Sequence, residues 1–91
     1  MNKAGLAIKV SERANIPLKA AKVIVDNIFD AMRESLEKGE RIEIRGFGSF
    51  VMRNYKAYKG RNPKTGKIVD VPSKKLPYFK VGKELKELVN K

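Results

Sequence analysis

Cysteine and histidine are both absent from this sequence of 91 residues. Without cysteine the chain has neither a disulfide framework nor a thiolate metal site, and without histidine it lacks the commonest general base and metal ligand. No window approaches the roughly 18 consecutive apolar residues of a membrane-spanning helix. Near the N-terminus Lys3 and Lys9 interrupt every apolar run, so we expect no signal peptide and a cytoplasmic protein.

Acidic residues are scarce in one part of the chain. Between Arg53 and Lys83, ten lysines and arginines are accompanied by a single acid, Asp70, so this segment carries nine of the eleven net positive charges. A concentrated positive field attracts polyanions, and neutralising phosphates with lysine and arginine releases condensed counterions. The charge pattern therefore indicates nucleic acid as the first candidate partner and an anionic membrane surface as the second.

The first half of the chain predicts two helices in a single small domain. Asn2 is placed to cap the first helix, Asn15-Ile16-Pro17 ends it, and Pro17 suits the first turn of the second helix. The second helix is expected to run to about Lys38, with Gly39 just after its end. Its apolar positions cover more than one narrow stripe, which fits either a wide core face or burial against a second copy of the chain.

After the second helix the period of the apolar residues changes from 3.6 to 2. Strands are predicted over 41–45 and 49–53, joined by a turn at residues 46–48. The two glycines of this turn superficially resemble a phosphate-binding loop. No Lys-Ser/Thr pair follows them and the next element is a strand, so we interpret them as a turn that lets Phe47 and Phe50 enter the core.

The segment 53–75 has too little apolar content to pack a core of its own, yet it alternates and has turn residues at its midpoint. We interpret it as a two-stranded ribbon, with a returning strand over 68–71, that projects on the order of 30 Å from the body. The alternative is a solvated loop that becomes ordered only on binding. At the tip, Pro63 is either an ordinary turn residue or an apolar wedge of the kind that minor-groove proteins insert between base steps.

Three blocks of the sequence closely resemble the bacterial histone-like HU and integration host factor family: residues 41–50 (RIEIRGFGSF), 60–66 (GRNPKTG) and 76–85 (LPYFKVGKEL). The resemblance spans essentially the whole chain without gaps. It implies an α+β fold: an intertwined dimer with a helical base, a saddle of three antiparallel strands per chain, an extended β-ribbon arm and a short C-terminal helix.

The same resemblance implies a division of the single domain, residues 1–91. Residues 1–40 are expected to form the helical dimerisation base, 41–81 the sheet and the arm, with its tip near 60–66, and 82–91 the C-terminal helix. The partner chain is expected to be an identical copy, and a heterodimer with a paralogue remains open.

The function implied by the resemblance is that of an architectural protein of the nucleoid, not an enzyme. Such a protein binds the minor groove of double-stranded DNA, then bends and compacts the DNA by intercalating arm-tip prolines, here Pro63. We expect little or modest sequence preference, tighter binding to bent, nicked or otherwise distorted duplex, and no need for a metal or cofactor. The candidate DNA-contacting residues are Lys3, Arg45, Arg53, Lys56, Lys59, Arg61, Asn62, Pro63, Lys64, Lys67, Lys74, Lys75, Lys80, Lys83 and Lys86.

Some of these assignments rest on the resemblance alone. Lys3, Lys83 and Lys86 are placed on the body by position, and Lys86 fits a solvated surface lysine beside two glutamates equally well. The stretch around Glu43 and Arg45 is more similar to the beta subunit of integration host factor than to HU. If that face lies against DNA, Arg45 enters a narrow minor groove and Glu43 orients it; the alternative is a surface ion pair.

Two other classes of function are less consistent with the sequence. The basic segment alternates as a ribbon that contains proline and glycine, whereas binders of lipid surfaces usually carry a basic amphipathic helix. Four carboxylates on the second helix have the spacing of a single face and suggest a metal-dependent nuclease, but such a set is far more often a solvated helix face. These carboxylates are Asp26, Asp30, Glu34 and Glu37.

Overall fold

The computed structural model describes all 91 residues of the chain as an α+β fold with three helices and five strands. The helices are α1 (Lys3–Ala14), α2 (Leu18–Glu37) and α3 (Lys83–Val89). The strands are β1 (Ile42–Ile44), β2 (Gly48–Tyr55), β3 (Tyr58–Arg61), β4 (Ile68–Val71) and β5 (Lys74–Val81). None of the helices combines the length and the apolar character that crossing a membrane requires.

The ends of the first two helices are set by their capping residues. The Asn2 Oδ1 atom accepts a hydrogen bond of 2.8 Å from the backbone N–H of Gly5, which satisfies a free donor of the first turn. Asn15 ends α1 in the left-handed conformation, with φ at 54°. Pro17 directly precedes α2, and Gly39 follows it with φ at +79°. The predicted limits of α1 and the predicted end of α2 are confirmed, whereas Pro17, expected in the first turn of α2, lies one residue before the helix.

Three strands form an antiparallel sheet in the order β1-β2-β5. Strands β2 and β5 pair along their whole length, from Gly48 opposite Val81 to Tyr55 opposite Lys74. The three-stranded sheet implied by the resemblance is therefore present. One detail of the prediction was wrong, because Gly48 is the first residue of β2 and not part of the turn. Beyond residue 53 the chain stays extended, as expected for the ribbon, and β2 continues to Tyr55 opposite Lys74 of β5.

Gly48 belongs to the strand because it pairs with Ile44 of β1 and Val81 of β5, and two groups approach its Cα atom closely. A Cβ atom at this position would lie 2.5 Å from the carbonyl oxygen of Lys80 and 2.6 Å from the ring of Phe79. No larger side chain fits this space without a shift of the backbone. The glycine therefore serves the packing of the phenylalanine ring and the pairing of β2 with β5.

Aromatic rings form the apolar cluster of the sheet. The ring of Phe79 lies 5.5 Å from that of Phe47 and 4.8 Å from that of Phe50, measured between centroids. Phe50 is partly buried, as predicted. Phe47 is 45% exposed, so the prediction that it enters the core is wrong for the single chain. The reason is its place in the turn at the end of the sheet, where only one side of the ring meets the cluster.

The single chain buries few apolar side chains. Its fully buried apolar residues are Ala7, Ala21 and Val25, which lie where α1 meets α2. On α2 the large side chains of Ile24, Ile28 and Phe29 are 44%, 52% and 42% exposed. The 3.6-residue period places them in one broad arc with Val25. We call these three residues the uncovered α2 face.

Beyond the three-stranded sheet the chain forms the arm. Strands β3 and β4 pair only with each other, and the principal dimensions of the molecule are 58 × 33 × 28 Å. The projecting ribbon predicted from the alternation of residues 53–75 is present as two consecutive antiparallel pairs. The lower pair is the end of β2 and β5, and the upper pair is β3 with β4.

Candidate nucleic-acid interface

The arm has two different faces. Tyr58 pairs with Val71 and Gly60 with Val69, so these residues share one face, on which the tyrosine ring and both valines surround the glycine. A Cβ atom at Gly60 would lie 3.5 Å from both Tyr58 and Val71, which is ordinary contact. The opposite face carries two of the candidate DNA-contacting residues, Lys59 and Arg61, both exposed. Their cross-strand partners on that face are Asp70 and Ile68, so the face is mixed in character and carries both cations.

Hydrogen bonds within the arm tip hold its turn. The backbone N–H of Asn62 donates to the carbonyl oxygen of Lys67 at 2.9 Å, and the N–H of Gly66 donates to the carbonyl oxygen of Asn62 at 2.7 Å. The Asn62 Oδ1 atom accepts from the backbone N–H of Lys64 at 2.9 Å, which forms an Asx turn around Pro63. The ring of Pro63 is exposed. The turn is therefore held by hydrogen bonds of its own residues, while the proline remains accessible at the tip.

Both long strands are interrupted at the same level, where the arm leaves the body. Residues 56–57 separate β2 from β3, and residues 72–73 separate β4 from β5. A cleft of about 720 Å³ opens at this break. The residues that line it are Asn54, Tyr55, Lys56, Ser73, Lys74 and Lys75. Three candidate lysines thus converge at the base of the arm.

One face of the three-stranded sheet is basic. The register places Arg53 opposite Leu76 and Ser49 opposite Lys80, and residues two apart on a strand share a face. Arg53, Lys74 and Lys80 therefore lie on the face opposite the phenylalanine cluster. We call this surface the basic sheet face.

Arg41 also reaches the basic sheet face, although it was not among the predicted residues. Its guanidinium donates to Ser49 Oγ at 3.4 Å and lies 3.8 Å from the carboxylate of Glu43. Its position in the charged alternation of residues 41–45 is the sequence signal that would have identified it. The contact also bears on Arg45, because Glu43 has Arg41 as its ion-pair partner and makes no ion pair with Arg45.

The body contributes the remaining candidates from two separate places. Arg45 lies in the turn after β1, which is joined to the start of α3 by a hydrogen bond of 2.9 Å from the N–H of Gly82 to the carbonyl oxygen of Phe47. Lys83 begins α3 and Lys86 lies one turn later, and neither makes an ion pair. This part of the body therefore presents three unpaired cations.

Lys3 lies at the start of α1 and is already paired. Its Nζ atom is 2.9 Å from the carboxylate of Asp26 on α2, and both side chains are more than half exposed. Asp30, the next carboxylate along α2, pairs with Arg33. No group of three or more metal-ligating side chains converges anywhere in the structure, so the four carboxylates of α2 do not form the metal site considered above.

Comparison with protein families gives a match over almost the entire chain. The model of the family described as bacterial DNA-binding protein matches residues 1–90. The chain belongs to this family. The resemblance inferred from three short blocks is thereby confirmed over the whole sequence.

Individual relatives agree with this assignment. The DNA-binding protein HU of Staphylococcus aureus is 47% identical over 89 residues, which cover 98% of this chain and 99% of the relative. The integration host factor subunit beta of Histophilus somni is 52% identical over 80 residues, covering 88% of this chain and 85% of the relative. The first of these relatives is a DNA-binding protein by name, which agrees with the family assignment.

The fold also matches a solved structure that contains DNA. A cocrystal structure of HU from Anabaena with DNA superposes with a TM-score of 0.88 at 36% identity, covering 98% of this chain and 97% of that one. The α+β fold class is confirmed by this likeness. The helices, the sheet and the arm of this chain thus belong to a fold that an HU protein also has.

Proposed function

We propose that this chain is an architectural DNA-binding protein of the nucleoid, which binds the minor groove as a dimer and bends the duplex. The observation that supports the proposal most strongly is the concentration of positive charge on residues 53–83, which form the end of β2, the arm, β5 and the start of α3. This segment carries nine of the eleven net positive charges. Such an excess of positive charge along an extended ribbon suits the phosphate backbone of a duplex.

Dimerisation is supported by what the single chain leaves uncovered. Only three apolar residues are fully buried, which is too little to stabilise a domain of 91 residues by itself. The uncovered α2 face and the partly exposed phenylalanine cluster supply the apolar surface that a second copy would cover. We therefore assign residues 1–40 as the helical dimerisation base, 41–81 as sheet and arm, and 82–91 as the C-terminal helix.

We propose that Pro63 is an intercalating wedge. Its ring is exposed at the tip of the arm, and the hydrogen bonds of the turn are made by its neighbours. A rigid apolar ring held between Arg61 and Lys64 can enter a base step while the two cations meet the flanking phosphates. Partial unstacking costs a few kcal/mol per step, which is recovered when the bent duplex reaches the basic body. Duplexes already bent, nicked or gapped should therefore bind more tightly.

The other predicted residues are assigned to contact DNA in three groups. On the arm and its base these are Lys56, Lys59, Arg61, Asn62, Lys64, Lys67, Lys74 and Lys75. Arg53 and Lys80 contribute from the basic sheet face, and Lys3, Arg45, Lys83 and Lys86 from the body. Lys3 must exchange its carboxylate partner for a phosphate. Because Glu43 pairs with Arg41, we propose that Arg45 responds to minor-groove width without being oriented by Glu43, and that sequence preference is modest.

The experiment that tests DNA binding measures affinity for a straight and a gapped duplex over a range of salt concentrations. With on the order of 6–10 phosphates neutralised per dimer, the plot of log K against log salt should have a slope of about −0.9 per contact. The gapped duplex should bind more tightly than the straight one at every salt concentration. A nearly flat plot would contradict the proposal, and flotation with anionic vesicles at equal affinity would favour a lipid surface instead.

A further inference from the structure

Arg53 is stacked on an aromatic ring of the basic sheet face. The central carbon of its guanidinium lies 3.5 Å from the centroid of the Tyr78 ring. Arg53 pairs with Leu76 and Val51 pairs with Tyr78, so the arginine and the tyrosine are diagonal neighbours on the same face. At this distance the cation lies directly over the negative face of the ring, which is a cation–π contact.

The ring is the only group that holds this guanidinium. Arg53 makes no ion pair and no side-chain hydrogen bond, and the one acid of β1, Glu43, is paired with Arg41. All five N–H donors of a guanidinium lie in its plane, so stacking through the face leaves every donor free for an anion. Tyr78 is 40% exposed, and a bound polyanion can therefore reach the pair from solvent.

We infer that Tyr78 is a positioning residue for DNA binding, which holds Arg53 with its N–H donors directed outward to meet a phosphate. The inference rests on the function proposed above. Fixing a long side chain costs conformational entropy at the moment of binding, and a side chain already stacked in the free protein has met most of that cost. The advantage corresponds to about a two- to ten-fold gain in affinity per immobilised side chain. A lysine at position 53 would not gain the same affinity, because an ammonium is a point charge with no plane that could stack on the ring.

The test is a double-mutant cycle between the two residues, with DNA affinity as the readout. Tyr78→Leu removes the ring but keeps apolar bulk between Val51 and Leu76, and Tyr78→Phe keeps the ring. We expect Tyr78→Leu to bind a duplex about two- to ten-fold more weakly per protomer, with the salt slope unchanged. Tyr78→Phe should stay within about two-fold of the unaltered protein, because the phenyl ring still offers its face. In a background of Arg53→Ala, which lowers the slope by about one per protomer, Tyr78→Leu should have no further effect.

Two other results of the double-mutant cycle would contradict the positioning role of Tyr78. Equal losses from Tyr78→Leu in both backgrounds would overturn the inference, since the tyrosine would then act without the arginine. A loss in Tyr78→Phe as large as in Tyr78→Leu would overturn it as well, because the hydroxyl would be the active group. If Tyr78→Leu does not fold, Tyr78→Phe and the upfield ring-current shift of the Arg53 side-chain protons in the free protein decide the question. Without that shift the inference fails.

The same experiment separates this inference from the function on which it rests. If the unaltered protein binds no duplex at low salt, the proposed function and the inference fail together. If it binds and the two residues show no coupling, only the positioning role of Tyr78 is overturned.

Discussion

Placing a charge on the uncovered α2 face should prevent the dimerisation proposed above. Ile28 is 52% exposed in the single chain, so a partner can cover about half of its side chain. Fully burying an isoleucine is worth about 1.5–3 kcal/mol, so this half contributes about 1 kcal/mol per protomer, or about 2 kcal/mol for a symmetric pair. The Ile28→Asp substitution removes this contribution and also leaves an unpaired buried polar group in each protomer, which costs about 1–3 kcal/mol each. The total loss is about 4–8 kcal/mol of association free energy.

A matched control lies on the same helix. Val23 is 55% exposed, nearly the same fraction as Ile28, but the 3.6-residue period places it on the opposite side of α2 from the apolar arc. Val23→Asp should therefore leave association almost unchanged. Sedimentation equilibrium at micromolar concentration measures the oligomeric state of both variants, and thermal unfolding followed by circular dichroism measures their stability. For an obligate dimer the midpoint of unfolding rises with protein concentration.

We expect Ile28→Asp to be largely unfolded at concentrations where Val23→Asp is a folded dimer, because one chain buries only three apolar residues fully. The reasoning would be refuted if Ile28→Asp remained a dimer with an unchanged midpoint. It would also be refuted if the unaltered protein sedimented as a stable folded monomer, since the uncovered α2 face would then need no partner.

Four further variants test separate parts of the structure. Gly48→Ala should lower the free energy of unfolding by about 1–3 kcal/mol, because the added Cβ atom meets the Lys80 carbonyl and the Phe79 ring. Gly60→Ala should lower it much less, because the contacts there are at an ordinary 3.5 Å, and denaturant titration measures the stability of both variants. Asp26→Asn frees Lys3 for a phosphate, so DNA affinity should rise about two- to five-fold, the usual range for an exposed pair, and an unchanged affinity would place Lys3 away from the DNA. Arg45→Ala should reduce discrimination between AT-rich and GC-rich duplexes more than it reduces overall affinity, and uniform weakening would make Arg45 a plain phosphate contact.

The secondary structure could be predicted from the sequence because its signals are local. Asn2, Pro17 and Gly39 stand at helix ends for reasons of capping and backbone geometry, and each marks its helix end to within one residue. The limits of β2 were not predictable in the same way. Gly48 resembles a turn residue until the Phe79 ring, about thirty positions later, is known to lie over it.

In the candidate site, too, the features that depend on local sequence were predictable and those that depend on distant contacts were not. The charge of the arm and the exposed tip at Pro63 were evident from composition and turn residues. The partners of individual cations were not, because the pairing of Lys3 with Asp26 and of Arg41 with Glu43 depends on side-chain positions that no local pattern specifies. The stacking of Arg53 on Tyr78 likewise depends on the register between β2 and β5.

The most direct test of the proposed function is the bend of a DNA duplex, measured by fluorescence energy transfer between its labelled ends. At saturating protein the unaltered chain should bring the ends closer and raise the transfer. Pro63→Ala keeps Arg61, Lys64 and the charge of the arm, so it should bind straight duplex with modestly reduced affinity yet bend it much less. Equal transfer with both proteins would reject the wedge, and no change in transfer with the unaltered protein bound at saturation would contradict an architectural role.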